Sequence, residues 1–451
     1  MLTAPEAACA LGPVFDENTG MTARPVYGKY KSYVIPALEL PVLVALLNGI
    51  GRVAVPVDSG GERSYETDLN TFWDHVEDGD WEIDDNRFDT NQLGHPYMGS
   101  AFQGFARSSG LGFWESSIYT FAGSFFWETA GETARPSIND QVVTGIAGNF
   151  MGEPLFRMAN LVLEGGGSKP GLWRELGAGV LSPPTGLNRL VFGDRLKPVF
   201  PSRNPAFFWR FGVGESINSH PGTVTHAMPA VDFAMYYGLP GHEGYGYDRP
   251  FDYFSFRFTA LGHAKNAIEN IMVNGLLAGE KYEYGSNFQG VWGLYGNYDY
   301  FAPHLFKVSS TALSLGTTAL WRLTSLTALH GSVTGGAGYG AAGIDEGETR
   351  TYRYGTTFQA QADLRLDLGE LAQLEAGLNE YYVSSIGGTD PKGSELVGRF
   401  KAGITVRISG RHALGLRYVS NLRAAESQGS PDSHQSVETF SILYTWLGGS
   451  I

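Results

Sequence analysis

From about residue 205 onward, polar and apolar side chains alternate, and this two-residue period constrains the fold more than any other feature of the chain. Successive side chains of a β-strand point to opposite faces, so the alternation predicts strands with one apolar and one polar face. We predict about twelve strands, near residues 205–217, 228–238, 250–262, 268–284, 287–302, 307–322, 326–336, 350–368, 371–386, 395–408, 411–422 and 435–447.

The two faces of these strands suit a membrane barrel with lipid outside and a polar lumen inside. The predicted lipid-facing residues include Phe254, Phe256, Phe258, Leu364, Leu366, Phe400, Ile404, Ile442 and Tyr444. The predicted lumen residues are Arg257, Asp363, Arg365, Asp367, Arg399 and Arg407. Because lipid cannot satisfy open strand edges, the strands must close into a transmembrane antiparallel up-and-down β-barrel.

The connections between the predicted strands mostly alternate between tight and long. Ser409-Gly410 and Gly369-Glu370 are tight turns, whereas 387–394 and the glycine-rich stretch 337–349 are long. Outer-membrane barrels have short periplasmic turns and an even strand number, which places the N- and C-termini in the periplasm. The stretch 239–248 is an exception, since it is long on the short-turn side.

A soluble β-sandwich is the alternative, because its strands alternate too. Sandwich strands usually have about 5–6 residues, and several strands here are predicted to be far longer. Composition agrees with the barrel: charged residues make up 17%, aromatics 13%, and glycine 61 of 451 residues. The net charge of −14 argues against nucleic-acid binding through a basic face.

The N-terminal part contains no uncharged apolar run of transmembrane length. The nearest candidate, 33–50, contains Pro36, Glu39 and Asn48, so we expect a helix docked on protein or on the membrane surface. No secretory leader opens the chain, and we expect Cys9 to be unmodified and any signal peptide to be removed or to lie outside this numbering. Residues 62–94 are strongly acidic but do not match a calcium-binding EF-hand loop, so we predict a solvated loop without metal.

Three helices are predicted next, near 96–108, 113–133 and from Ser137, which resembles an N-cap. Each carries its ionisable groups on one stripe, so we predict one buried polar cluster. Its members are Arg107, Glu128, Glu132, Asp140, Glu153 and Arg157. Four acids against two arginines leave two negative charges, which protonation, His95 or an ordered cation would balance.

His95, Ser100 and Glu128 are candidate catalytic residues, since a nucleophile, a base and a carboxylate could form an acid–base arrangement. The sequence carries no GxSxG, HExxH or P-loop motif. Paired structural charges are the preferred interpretation, and we expect no cofactor.

Several short strings resemble an uncharacterised bacterial family known only as a domain of unknown function. They are Trp81 to Phe88, Asn91 to Ser100, Ser124 to Glu128, Glu132, Pro136 to Asp140, and Gly152 to Arg157. The resemblance covers about residues 30–165 and implies an outer-membrane protein without an established activity.

The resulting layout has five parts: an N-terminal segment with one docked helix (1–61), the acidic loop (62–94), a helical domain (95–170), a connection (171–204) and the barrel (205–451). The expected function is an outer-membrane barrel acting as a gated or plugged pore, a transporter or an envelope scaffold, in contact with lipid or lipopolysaccharide. The alternative is a membrane enzyme that acts on lipid or lipopolysaccharide through His95, Ser100 and a carboxylate.

Overall fold

The computed structural model divides the chain into two compact units, residues 1–84 with 93–204 and residues 85–92 with 205–451. It describes residues 14–15, 22–23, 31–55, 64–84, 86–167, 170–193, 199, 202–221, 223–224, 227–262, 264, 266–346, 349–388, 392–429 and 431–450. We call the unit of residues 1–84 and 93–204 the helical unit, and the unit of residues 85–92 and 205–451 the barrel unit.

The described part of the helical unit is mainly helical. Its helices are α1 (Val34–Ala54), α2 (Leu69–Asp78), α3 (His95–Ser108), α4 (Phe113–Ala130), α5 (Ile138–Val142), α6 (Gly148–Glu164), α7 (Leu172–Leu181) and α8 (Pro183–Val191). Single π-helical turns, Thr90–Gly94 and Val143–Ala147, precede α3 and join α5 to α6. Ser137 caps α5 as predicted, since its hydroxyl accepts the Asp140 amide at 3.1 Å.

Helix α1 is the one described helix whose length and hydropathy would suit a membrane span. Its polar residues nevertheless make hydrogen bonds within the helical unit. The Asn48 amide donates to the carbonyls of Tyr65 at 2.8 Å and Gly131 at 2.9 Å, and Asn188 donates to Glu39 at 3.4 Å. Helix α1 is therefore docked on protein through these groups.

The predicted strands form a closed barrel of twelve antiparallel strands. They are β1 (Phe207–His220), β2 (Met228–Tyr237), β3 (Phe254–Leu261), β4 (Ile268–Tyr284), β5 (Phe288–Phe301), β6 (Lys307–Arg322), β7 (Thr327–Glu346), β8 (Thr349–Leu368), β9 (Ala372–Ser384), β10 (Gly393–Ser409), β11 (His412–Ser427) and β12 (Ser433–Gly449). Each pairs with its neighbours in sequence, and β12 pairs with β1 in the register Phe440↔Ile217, which leaves no open edge.

The outward face of the barrel is apolar over most strands. Large exposed residues there include Trp292, Leu313, Leu315, Val333, Phe358, Leu364, Leu378, Phe400, Ile404, Leu422, Phe440, Ile442 and Tyr444. Two predicted lipid-facing residues are instead buried. Phe254 stacks on Tyr237 with ring centroids 4.9 Å apart, Phe256 packs near Phe233, and the Phe251 ring fills the space over Gly275, the register partner of Phe254.

Three predicted segments differ from the structure for local reasons. The acidic stretch 62–94 contains α2, because the Asp68 side chain accepts the Asn70 and Thr71 amides and caps a helix. The predicted connection 171–204 contains α7 and α8. The glycine-rich stretch 337–349 continues β7, which pairs with β8 up to Glu346↔Thr349, because glycines still supply ladder hydrogen bonds.

Residues 86–92 belong to the barrel unit and pack on the outward side of its strands. Phe88 is fully buried between Tyr300 and Tyr352, with ring centroids 6.2 and 5.4 Å away. Asp89 accepts from the Tyr300 hydroxyl at 2.7 Å and from Lys307 Nζ at 2.6 Å. These contacts fix the segment on strands β5, β6 and β8.

Candidate functional site

A close helix contact places the first residue of α3 beside the turn after α5. A Cβ on Gly99 would lie 2.1 Å from the Thr144 carbonyl oxygen, and one on Gly148 would lie 2.6 Å from the Gly99 Cα. Only glycine permits this approach, because a Cβ at either position would overlap the facing backbone. His95, one turn before Gly99, is thereby brought against Asp140 and Thr144.

His95 is a buried histidine held through both ring nitrogens. Its Nδ1 lies 3.1 Å from the Thr144 hydroxyl, and its Nε2 lies 3.4 Å from Asp140 Oδ2. The side chain is 4% exposed, and burial lowers its pKa to about 4. At neutral pH the ring is therefore uncharged, with one nitrogen lone pair.

Glu128 of α4 joins this pair. One carboxylate oxygen of Glu128, one of Asp140 and a ring nitrogen of His95 all lie within 4.8 Å of one another. Glu128 Oε2 accepts the Ser137 amide at 2.9 Å, while Glu128 Oε1 is buried without a hydrogen-bond partner. We call His95, Glu128 and Asp140 the histidine–carboxylate cluster.

Two more carboxylates lie at the edge of this cluster. Asn139 donates to Asp84 Oδ1 at 2.6 Å, and Trp127 Nε1 donates to Glu132 Oε1 at 2.6 Å. Within the described part of the chain, no lysine or arginine forms an ion pair with Glu128, Glu132 or Asp140.

The electrostatics of the histidine–carboxylate cluster favour neutral carboxyl groups when only protons balance the charge. Burial raises the pKa of Glu132 to about 7, and Asp84 adds to that rise. Burial, followed by neighbouring carboxylates, raises the pKa values of Glu128 and Asp140 well above their usual range. The cluster can therefore hold protons or a cation.

The other predicted charges form a separate ion-pair group at the far end of α3. Glu153 is fully buried and accepts from Arg107 Nε at 2.7 Å, Arg157 Nε at 2.8 Å and Gln103 Nε2 at 2.9 Å. Burial opposes its charged form, but the two guanidinium groups outweigh burial and lower the pKa of Glu153. The charge of Glu153 is therefore fully compensated.

The structure thus divides the six predicted cluster residues between two places. Arg107 lies twelve residues after His95 on α3, about 18 Å along the axis. The spacing of polar residues in the sequence shows which face of a helix is polar, but not which other helix packs against that face. The prediction of one cluster was therefore wrong, and the residues form two. Asp84, Asn139 and Thr144 were missed because they lie outside the stripes.

Ser100 does not meet His95 in this arrangement. Its hydroxyl donates to the Tyr97 carbonyl at 2.6 Å, and the contacts of the His95 ring go to Thr144 and Asp140. The described contacts provide no serine–histidine pair for nucleophilic catalysis.

A third polar group fills the middle of the barrel. Arg257 lies 3.1 Å and Lys401 Nζ 2.6 Å from Asp363, and Arg399 lies 3.7 Å from Glu269. Arg210 pairs with Glu375 and Asp232, and Arg417 also pairs with Asp232. A cavity of only about 60 Å³ remains between these groups.

Other predicted lumen residues lie at or towards the end of the barrel that carries the short turns. Arg365 stacks over the Phe208 and Tyr236 rings at 4.7 and 4.9 Å and lies 3.2 Å from Asp367. Arg407 pairs at 3.1 Å with Glu370, an exposed turn residue. Glu269 and Glu375 of the middle layer were missed, although each lies on the polar face of an alternating strand.

Comparison with known structures finds outer-membrane barrels at large distance. The NanC porin is 7% identical over 52% of this chain and 98% of its own, with a TM-score of 0.27. An outer membrane channel from Pseudomonas putida F1 is 10% identical over 54% of this chain and 96% of its own, also at 0.27. The outer membrane channel DcaP of Acinetobacter baumannii is 6% identical over 53% and 98%, at 0.23.

No curated protein matches the sequence. One family model does match, over residues 80–184, which include the histidine–carboxylate cluster, Glu153 and its two arginines. The expected resemblance to an uncharacterised family is confirmed, although the match begins and ends later than 30–165. The family model that matches residues 80–184 is DUF3943, a domain of unknown function.

Proposed function

We propose that this protein is an outer-membrane β-barrel whose lumen is a gated passage, closed in the described conformation. The observation that carries the proposal is the layered interior of the barrel. A charged middle layer of five cations and four carboxylates lies between two apolar layers. The apolar outward face supports a position in lipid, since a membrane barrel needs such a face.

The first apolar layer closes the end of the barrel that carries the short turns. Its residues include Phe208, Tyr236, Leu239, Tyr253, Leu276, Val291, Tyr295, Ala413 and Leu447, with Tyr247 packed against them. Leu239, Tyr247 and Tyr253 come from the long connection 238–253. The one long connection at this end thus completes the seal.

The second apolar layer closes the opposite end. Its residues are Phe301, Phe306, Val308, Ala342, Tyr381, Val383, Val397 and Val437, with Leu305 packed against them. Phe306 and Leu305 come from the connection 302–306. Because each seal includes residues of a connection, movement of the two connections would open a path without breaking a strand pair.

The charged middle layer supports a passage rather than a purely structural interior. Buried ion pairs add little net stability compared with well-packed apolar groups, because desolvation offsets their attraction. Ion pairs that exchange partners could line a polar path once the seals move. An envelope scaffold would gain nothing evident from this layer.

Planar-bilayer recordings of the full chain test this proposal. The double variant Phe306→Ala/Tyr247→Ala removes one ring from each seal, and Phe400→Ala removes an outward-facing ring as the matched control. We expect rare openings in the wild-type protein and in the control. The double variant should have a much higher open probability at the same voltage.

Two results would contradict the proposal. A wild-type protein that conducts steadily would show that the seals do not close the lumen. A double variant as silent as the wild type at every voltage, yet folded by circular dichroism, would favour the scaffold role instead.

A further inference from the structure

The histidine–carboxylate cluster has the donor spacing of a metal site. Zinc–nitrogen and zinc–oxygen bonds are about 2.0–2.2 Å, so two donors of a tetrahedral ion lie roughly 3.4 Å apart. His95 Nε2 and Asp140 Oδ2 are 3.4 Å apart, and a Glu128 oxygen lies within 4.8 Å of both donor groups. The three donors come from three different helices, α3, α4 and α5.

The ring of His95 is oriented as a ligand would be. When Nδ1 donates its proton to the Thr144 hydroxyl, Nε2 keeps a lone pair that faces Asp140 and Glu128. Metal-binding histidines almost always hold their second nitrogen through such a hydrogen bond. Thr144 therefore has the position of an orienting residue.

Glu128 supplies the observation that most directly indicates a ligand. The residue is 3% exposed, its Oε2 is fixed by the Ser137 amide, and its Oε1 has no donor. A buried carboxylate oxygen without a partner is costly, and a bound cation would satisfy it.

We propose that His95, Glu128 and Asp140 bind one divalent transition-metal ion of the manganese-to-zinc class. One imidazole and two carboxylates suit these ions, whereas calcium and magnesium prefer all-oxygen sites. Asp84 and Glu132, at the edge of the cluster, add negative charge that favours a cation. The ion would join α3, α4 and α5. Metal binding at this cluster does not depend on whether the barrel conducts.

Metal titration of the full chain in detergent tests this assignment. After treatment with a chelator, the protein is titrated with Zn²⁺ by calorimetry, and bound metal is counted after desalting. We expect one Zn²⁺ per chain and a higher melting temperature of the helical signal. Glu128→Gln and Asp140→Asn keep the side-chain volume and should abolish stoichiometric binding.

Two further variants separate a site from surface binding and from misfolding. His75→Ala removes a histidine of the same unit whose Nδ1 lies 3.2 Å from the Thr129 carbonyl, and it should bind Zn²⁺ like the wild type. Thr144→Val keeps the three ligands but loses the hydrogen bond to His95, so binding should weaken by about 10–100-fold.

Failure has a distinct signature. Wild-type protein that retains no stoichiometric Zn²⁺, Mn²⁺ or Co²⁺ would overturn the proposal, whatever the variants do. So would binding that Glu128→Gln and Asp140→Asn leave intact. If both substitutions raise the melting temperature and added metal changes nothing, the cluster is a set of protonated carboxyls.

Discussion

Glu132 and Glu153 show how position alone gives one residue type opposite electrostatic behaviour. Both belong to the helical unit. Burial raises the pKa of Glu132 to about 7, and Asp84 adds to the rise. Glu153 is buried too, but two guanidinium groups outweigh its burial and lower its pKa. A carboxyl group whose pKa is higher in the folded than in the unfolded state makes the fold less stable as pH increases. A carboxyl group whose pKa is lower in the folded state makes the fold more stable as pH increases.

Replacing these two glutamates by glutamine should have opposite effects on stability. In metal-free protein, the proton on Glu132 stabilises the fold fully below about pH 4.5, and this contribution disappears as pH rises through about 7. Glu132→Gln should therefore match the wild type near pH 4.5 and be more stable by about 3 kcal/mol at pH 8. The helical signal at 222 nm during denaturation measures this.

Glu153→Gln is the matched control and should be destabilising by about 3–5 kcal/mol between pH 5 and 8, since it leaves Arg107 and Arg157 without their buried counter-charge. The difference should shrink only when pH falls low enough to protonate Glu153 itself. Parallel pH profiles for the two variants would contradict this electrostatic assignment.

At the scale of elements, the segment 86–92 shows what part of the family motif does. Asn86, Phe88 and Asp89 lie in a stretch of the DUF3943 match that packs on barrel strands. The Tyr352 hydroxyl donates to the Asn86 carbonyl, and the Tyr298 hydroxyl donates to the Gln92 carbonyl at 2.7 Å. These residues are therefore held in place by docking on the barrel strands.

Phe88→Ala should release this segment. Truncating a buried phenylalanine costs about 3–5 kcal/mol, and even 3 kcal/mol raises the population of the open segment by roughly 100-fold. Trypsin should therefore cut after Arg87 about 100-fold faster than in the wild type under native conditions. Phe400→Ala, which truncates an exposed ring, should leave this rate unchanged; equal rates in all three proteins would show that Phe88 does not hold the segment.

At the scale of the whole molecule, the two ends of the barrel differ in their connections. Apart from the long connection 238–253, the connections at the end that holds both chain ends of the barrel are short: 285–287, 323–326, 369–371 and 410–411. The longer connections 262–267, 302–306 and 385–392 lie at the other end. By the rule for bacterial barrels, we propose that the first end faces the periplasm.

Cysteine labelling tests this orientation. In a Cys9→Ser background, Asp432→Cys lies in the connection between β11 and β12, and Arg411→Cys lies in the two-residue turn between β10 and β11. A membrane-impermeant maleimide should label only the first variant in intact cells and both after permeabilisation. Labelling of Arg411→Cys alone in intact cells would reverse the orientation.

The barrel could be predicted from the sequence, because strand periodicity is local. The direction of a side chain in a strand depends only on its position, so the alternation identified twelve strands and most of their outward residues. The polar stripes of α3, α4 and α6 were visible for the same reason. The local pattern could not reveal that Phe254 is buried. The ring of Phe251, from the connection before β3, covers Gly275, which pairs with Phe254 in the sheet.

Which polar groups meet could not be predicted from the sequence and depends on how the helices pack. A polar stripe shows only which face of one helix is polar. The close approach of Gly99 and Gly148, together with the turn at Ser137, places Asp140 and Glu128 next to His95. Tertiary packing likewise places residues of two connections in the apolar layers of the barrel interior and docks Phe88 on the barrel. Contacts between elements depend on crossing angles, registers and distant residues, and none of these is written in the periodicity of a single segment.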